Sequence, residues 1–222
     1  MASPREGLGA QAERLGARAD ATGMFGRPRL VGMVLATYAA IGALAAALSL
    51  AFGRNPIDCG GWLGMRGAAG LSSSLGLGIC LGAGTIAATR TIVQRAEWAR
   101  ALHLALRPAV HGVDGGTLLA LAVASGIGEE LLFRGLLVPT VGIALSSLAF
   151  GLVHQIRGRA RWWWMAWATL MGLLFALIFA ATGSLAGPIV AHAAINAANL
   201  RYLRDNDPSP PRRHLGGLLR RT

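Results

Sequence analysis

The chain has 222 residues, of which 54% are hydrophobic and only 14% charged, with a mean hydropathy of +0.50. Soluble domains carry about 25% charged residues, so a soluble globular protein is excluded, and apolar content this high and continuous excludes disorder. The net charge of +11 comes from 21 basic residues against 10 acidic ones, and every basic residue is arginine. A basic balance raises nucleic acid as a partner, but in so apolar a chain the expected partner is the lipid bilayer and no nucleic acid is expected.

In chain order, residues 1–29 form a polar segment in which five arginines alternate with Glu6, Glu13 and Asp20. It is too long and too acidic for a signal-peptide n-region or a transit peptide. Two uncharged stretches of 23 residues follow, 30–52 and 67–89, each above the roughly 20 residues a bilayer-crossing helix needs. Residues 90–115 form the longest internal loop, within which Ile92–Leu106 predicts an amphipathic interfacial helix. The stretch from Gly115 is apolar yet contains Glu129, Glu130 and Arg134. Residues 135–156 are uncharged, and so are 162–200, which Thr182-Gly183-Ser184 and Pro188 divide into two helices. Period-2 alternation is absent, against a β-barrel. The expected fold is an all-α membrane protein of about six transmembrane helices, near 30–52, 68–89, 116–137, 139–156, 162–181 and 187–203. Residues 30–203 make the membrane domain. The basic tail 204–222, with Pro208, Pro210 and Pro211, reads as a flexible end. The two cysteines, Cys59 and Cys80, imply neither a disulfide framework nor a zinc site.

The arginines orient these spans. With six alternating helices and a cytoplasmic N-terminus, the inner segments hold 18 of them: five in 1–29, four in 90–107, three in 157–161 and six from Arg201 onward. The outer segments hold only Arg54 and Arg66, a strong positive-inside asymmetry. Both termini are therefore expected in the cytoplasm. Arg134 alone falls within a span. Trp162, Trp163, Trp164 and Trp167, just after the Arg157–Arg161 cluster, read as an interfacial aromatic belt.

Ionisable groups inside a membrane are costly, which makes them functional candidates. They fall on three helices. In Gly128-Glu129-Glu130-Leu131-Leu132-Phe133-Arg134-Gly135, Glu130 and Arg134 stand four apart with the acid first, and so pair. Glu129 lies about 100° around the helix and is left for chemistry as a general base. The second group is Phe150-Gly151-Leu152-Val153-His154. The third is His192-Ala193-Ala194-Ile195-Asn196, whose His192 and Asn196 share a face that Asn199 continues.

These three motifs, EExxxR, FxxxH and HxxxN in that order on three apolar segments, resemble those of the CPBP family of intramembrane proteases, also called Abi. That family includes the type II CAAX prenyl endopeptidases and bacteriocin-processing or self-immunity proteins. The resemblance covers about residues 115–203 and implies that the last four helices form a CAAX-protease-like core. Family members usually have a longer connection before the FxxxH helix, whereas here Leu136–Val141 turns almost at once.

The resemblance implies an endopeptidase hydrolysing a membrane-associated peptide or protein with a glutamate-activated water. Glu129 is then the general base, His154 binds and orients the water, and His192 and Asn196 are oxyanion donors. Glu130 and Arg134 hold the constellation rigid. No cofactor is favoured. Zinc is the alternative, on Glu129, His154 and His192, although HExxH and HxxEH are absent. Two rival functions remain at this stage: a non-catalytic immunity or regulatory protein of the same family, and an ion or proton transporter, which often shows internal repeats that this chain lacks. The Arg-only, Ala/Gly-rich composition points to a GC-rich prokaryote and so to its plasma membrane.

Overall fold

The computed structural model describes residues 28–208. The expected polar segment 1–29 and basic tail 204–222 therefore lie almost wholly outside the described residues. Within them the chain forms seven helices and no strand: α1 (Pro28–Ala51), α2 (Gly67–Arg95), α3 (Glu97–Val110), α4 (Gly115–Val141), α5 (Ile143–Val153), α6 (Arg161–Thr182) and α7 (Ala186–Asp205). Helices α1, α2, α4 and α6 are long and apolar enough to cross a membrane.

The expectation of about six spans differs at α5 and α7. Helix α5 has only 11 residues, about 16 Å of rise, or half a bilayer core. Helix α7 has 20 residues but carries His192, Asn196, Asn199, Arg201 and Arg204. Such a helix is tolerated because α2 and α4 pack along it while α3 and α6 touch it. Its polar side chains thus meet protein instead of lipid.

The ends of the bundle are distinct. The loop 52–66 meets the α6–α7 turn, where the Cys59 N–H donates to the Gly183 carbonyl at 2.8 Å and the Leu185 N–H to the Ile57 carbonyl at 2.9 Å. Arg54 donates to Thr140 at the end of α4 (3.0 Å). At the opposite end Arg90 reaches Asn199, Arg107 reaches Asn206, and Trp98 stacks on Trp163 with ring centroids 4.8 Å apart. The arginine-rich segments 90–107, 157–161 and 201–204 therefore gather at one end, with Arg54 at the other. Cys59 and Cys80 are both free.

Helix α4 changes winding along its 27 residues. Asp114 caps it, accepting from the Thr117 N–H at 2.9 Å, and hydrogen bonding from the Thr117 side chain, with this backbone bond, holds the Asp114 carboxyl below the usual range. Gly115–Glu130 is α-helical, Leu131–Leu137 is π-helical, and Val138–Val141 returns to α. The sequence placed a turn near Pro139 and began the next helix there. The chain instead stays helical through Pro139 and breaks at Gly142, whose φ of +87° suits glycine. Pro139 has no N–H to offer the Gly135 carbonyl. Ser49 of α1 donates to that carbonyl instead (3.4 Å), and Ser146 of α5 donates to the Phe133 carbonyl (2.7 Å).

Helix α2 also runs past its expected end at 89, because Arg90 finds acceptors on α7 and need not leave the bundle. The interfacial helix expected over 92–106 appears as α3, shifted toward the C-terminus, with Ala99, Leu102, His103 and Val110 turned inward.

The α2–α7 contact depends on small residues. A Cβ at Gly78 would run into the Gly187 backbone, and one at Gly187 would run into the Ser74 carbonyl. Ser74 fastens this crossing, donating to the Ser184 carbonyl at 2.8 Å and accepting from the Gly187 N–H at 2.9 Å. Gly78→Val should lower stability by about 1–3 kcal/mol or prevent assembly altogether, read as thermal unfolding in detergent. Gly76→Val, at a position with open space around it, should unfold at the wild-type temperature.

Candidate active site

The middle of α4 supplies the two acids. Gly128 lies against the Tyr38 backbone of α1 and has no room for a Cβ. Glu130 points into the bundle and is fully buried, as is Arg134 one turn on. Arg134 Nη1 donates to Glu130 Oε1 at 2.8 Å, and its Nη2 donates to the Gly172 carbonyl of α6 at 2.9 Å. Its guanidinium carbon lies 4.4 Å from the centre of the Phe150 ring and 5.3 Å from that of Phe175. Aromatic faces attract a desolvated cation, so this box partly replaces lost hydration. The ion pair read from the i,i+4 spacing is present, with a third partner: His192 Nδ1 lies 2.7 Å from the same Glu130 Oε1.

That contact sets the chemistry of His192. A carboxylate oxygen accepts and an arginine already donates to it, so Nδ1 carries the proton and donates. In the neutral ring, Nε2 then presents a lone pair. The same argument applies to His154. Its Nδ1 is 2.6 Å from the Phe150 carbonyl, which only accepts, so again Nε2 is the free nitrogen. Both Nε2 atoms face Glu129: Oε2 lies 3.8 Å from that of His192 and 3.9 Å from that of His154. Glu129 Oε2 is buried without a hydrogen-bond partner among the described residues. These separations exceed direct hydrogen bonds and suit a water bonding to the surrounding atoms at about 2.8 Å.

The depth of His154 follows from the helix boundaries. Counted as part of a full span over 139–156, it lies near one membrane face while His192 lies deeper. The actual α5 starts at Ile143, ends at Val153 and turns through His154, so the histidine sits at the broken end of a half-length helix and its ring meets Glu129.

Asn196 stands one turn from His192, and its Nδ2 donates to Ser125 Oγ on α4 at 3.0 Å. It faces the same cavity, of about 380 Å³, that Glu129, His154 and His192 line. Asn199, expected to continue that face, lies further along and bonds Thr89 and Arg90. All six expected site residues thus adjoin one interior region: Glu129, His154, His192 and Asn196 line the cavity, and Glu130 and Arg134 form its support.

Two contributions were not visible as motifs. Tyr38 of α1 lines the cavity with Glu129; its one signal is that it is a lone phenol in an Ala/Leu/Gly-rich span. The tryptophans divide. Trp162 and Trp163 are exposed as a belt should be, whereas Trp164 lies edge-on to His154 at 5.5 Å and lines the cavity with Trp167. The belt reading fails for those two, because α6 begins beside His154 and turns one face inward.

Glu129, His154 and His192 are also the expected zinc set, and their free atoms are chemically suitable donors. Two ligands at zinc bond lengths stand about 3.4 Å apart in a tetrahedron, less than the separations here. Among the described residues no group of three such side chains has the arrangement of a metal site.

Comparison with known proteins adds an independent observation. Residues 115–198 match the family described as type II CAAX prenyl endopeptidase Rce1-like. Among curated proteins, the uncharacterized protein YpbD of Bacillus subtilis (strain 168) is 32% identical over 80 residues, which cover 36% of this chain and 42% of YpbD. The matched region thus spans under half of that relative. No solved structure matches.

Substitution beside the two acids should have opposite effects. Arg134→Met leaves Glu130 buried and uncompensated and should cost about 3–5 kcal/mol. Glu129→Gln removes a buried oxygen that has no partner, and should leave the unfolding temperature unchanged or raise it. Melting of both variants in one detergent checks the contrast.

Proposed function

We propose that this chain, whose residues 115–198 form an Rce1-like, CAAX-protease-like domain, is an intramembrane endopeptidase acting on a membrane-associated peptide or protein. The observation that carries the reading is the convergence of Glu129 Oε2 with the Nε2 atoms of His154 and His192. It supports a bound water that donates to Glu129 Oε2 and to His154 Nε2 and whose lone pair points into the cavity.

In the proposed reaction Glu129 removes a proton as the water oxygen bonds to the peptide carbonyl carbon. His154 orients the water. The resulting oxyanion accepts hydrogen bonds from Asn196 and from His192. Since the Nδ1 proton of His192 is committed to Glu130, its Nε2 donates only when the ring is an imidazolium. The charge count favours this. Glu129 and Glu130 against Arg134 leave the cluster one proton short of neutrality, and a low-dielectric site favours neutrality. Collapse of the intermediate breaks the C–N bond, and Glu129 returns its proton to the leaving amine.

Zinc on Glu129, His154 and His192 is the competing reading, favoured by the two lone pairs and disfavoured by the donor spacing. The positive-inside rule supports a cytoplasmic location for the arginine-rich end and for both termini, and the composition supports a prokaryotic plasma membrane.

The test is cleavage of quenched-fluorescent apolar peptides by the purified protein in liposomes. Glu129→Gln and His154→Ala should each lower kcat about 10²- to 10⁴-fold, and Asn196→Ala about 10²- to 10³-fold. Chelator should leave the wild-type rate unchanged. Wild-type rates for Glu129→Gln would end the enzyme reading. Chelator inhibition reversed by zinc would replace the metal-free mechanism with the metal one.

A further inference from the structure

The cavity that begins at Glu129, His154 and His192 continues past Asn196 to Arg90, Asn199 and Tyr202. Its two ends are chemically opposite, with a carboxylate at one and a cation at the other. Most of the lining between them is apolar, from Leu102, Leu106 and Trp167 among others.

Arg90 is partly buried and differs from the fully buried Arg134. Arg134 is neutralised by Glu130. No carboxylate pairs with Arg90 among the described residues. Its Nη1 donates to Asn199 Oδ1 at 2.9 Å and its Nη2 to the Ala198 carbonyl at 2.8 Å. Both acceptors are neutral, so they orient the guanidinium without compensating its charge. Thr89 Oγ1 lies 3.2 Å from Asn199 Oδ1 and closer to the Thr85 and Ile86 carbonyls of its own helix. The guanidinium carbon rests 3.9 Å from the centre of the Tyr202 ring, and His103 meets that ring edge-on at 5.4 Å. The cation is thus held on one edge and one face. It still lines the cavity, with N–H donors beyond the two that are bonded.

A positioned guanidinium with spare N–H donors fits a carboxylate. We propose that Arg90, set by Asn199 and Tyr202, is a substrate-anchoring site for a carboxylate, either the free C-terminus or an acidic side chain near it. The proposal rests on the endopeptidase reading. From His192 to Asn199 is seven residues of α7, a rise of about 10 Å, within reach of a short extended peptide. A substrate anchored there lays its chain along the apolar lining toward the reacting atoms. Glu129 repels its carboxylate from the wrong end, so the two charges together set the direction of binding.

A merely structural role for Arg90, stapling α2 to α7, predicts losses that ignore the substrate's terminus. The test therefore varies both partners. An acetylated apolar tetrapeptide, as free acid or as amide, is titrated into Glu129→Gln protein in phosphatidylcholine nanodiscs. Binding is followed by tryptophan fluorescence, since Trp98, Trp164 and Trp167 line the cavity. The acid should bind about 10- to 100-fold tighter than the amide, as expected for charged hydrogen bonds. Arg90→Gln should abolish that preference while amide affinity stays the same, and Arg90→Lys should retain part of it. An amide peptide carrying a penultimate Asp distinguishes the two carboxylate sources, since it recovers tight binding only if a side chain serves. Equal affinity of acid and amide, no measurable binding of either, or a preference that survives Arg90→Gln overturns the proposal. So does affinity that follows added phosphatidylglycerol instead of the peptide terminus, which would assign the site to lipid phosphate. Cleavage separates the two readings: wild-type protein that cleaves acid and amide alike removes the anchor and keeps the endopeptidase, and selective binding without cleavage does the reverse.

Discussion

The buried pair of Glu130 and Arg134 is the interaction on which the rest of the site depends. Two charges at the centre of an apolar bundle cost several kcal/mol each to desolvate, and only close geometry with further hydrogen bonds recovers that cost. The pair reaches outward for those bonds. Arg134 takes the Gly172 carbonyl from α6 and lies among Phe133, Phe150 and Phe175. Glu130 takes the Nδ1 proton of His192 from α7. Three helices and the aromatic box are thereby held in one arrangement, and the tautomer of His192 is decided. A pair that contributes little net stability still determines which nitrogen faces the cavity.

The irregular backbone beside the pair follows from bringing distant helices to one depth. Widening α4 over Leu131–Leu137 and carrying it through Pro139 leaves carbonyls that its own N–H groups do not all satisfy. The Ser49 hydroxyl donates to the Gly135 carbonyl, which Pro139 cannot serve, and the Ser146 hydroxyl adds a second bond to the Phe133 carbonyl, which also accepts from the Val138 N–H. In hydrocarbon an unpaired carbonyl has no water to turn to, so non-regular backbone needs such neighbours. The same economy explains α5. It stops at half length, and the turn at His154 is tolerated because α6 and the cavity flank it.

The candidate site was legible in the sequence wherever it was written in ionisable or amide side chains. Glu129, Glu130, Arg134, His154, His192 and Asn196 stand out because apolar segments otherwise exclude such groups, and i,i+4 spacing was enough to pair Glu130 with Arg134. The four long spans and the breaks at Thr182–Pro188 were legible for a similar reason, since hydropathy is a local property. What depends on neighbours was not. Whether α7 faces lipid or protein cannot be seen in its own residues. Pro139 reads as a breaker until Ser49, 86 positions away along the chain from the carbonyl it serves, is known to lie beside it. Tyr38 belongs to a helix with no motif at all. Trp164 and Trp167 shared a composition with Trp162 and Trp163 that hid their opposite orientations.

Two neighbouring glutamates with different surroundings show how one residue type is given two roles. Glu130 is compensated by a guanidinium and an imidazole N–H, and its position is rigid. Glu129, a rotation of about 100° away, meets a phenol and two imidazole nitrogens that offer lone pairs in their neutral form. It is the acid whose charge the protein leaves unpaid, and the cluster as a whole needs one more proton to be neutral. The arrangement that is least favourable for burial is also the one the proposed reaction would use, because of the two acids it is Glu129 that lines the cavity. The motif-free helix α1 belongs to the same site, because its Tyr38 lines the cavity with the uncompensated acid.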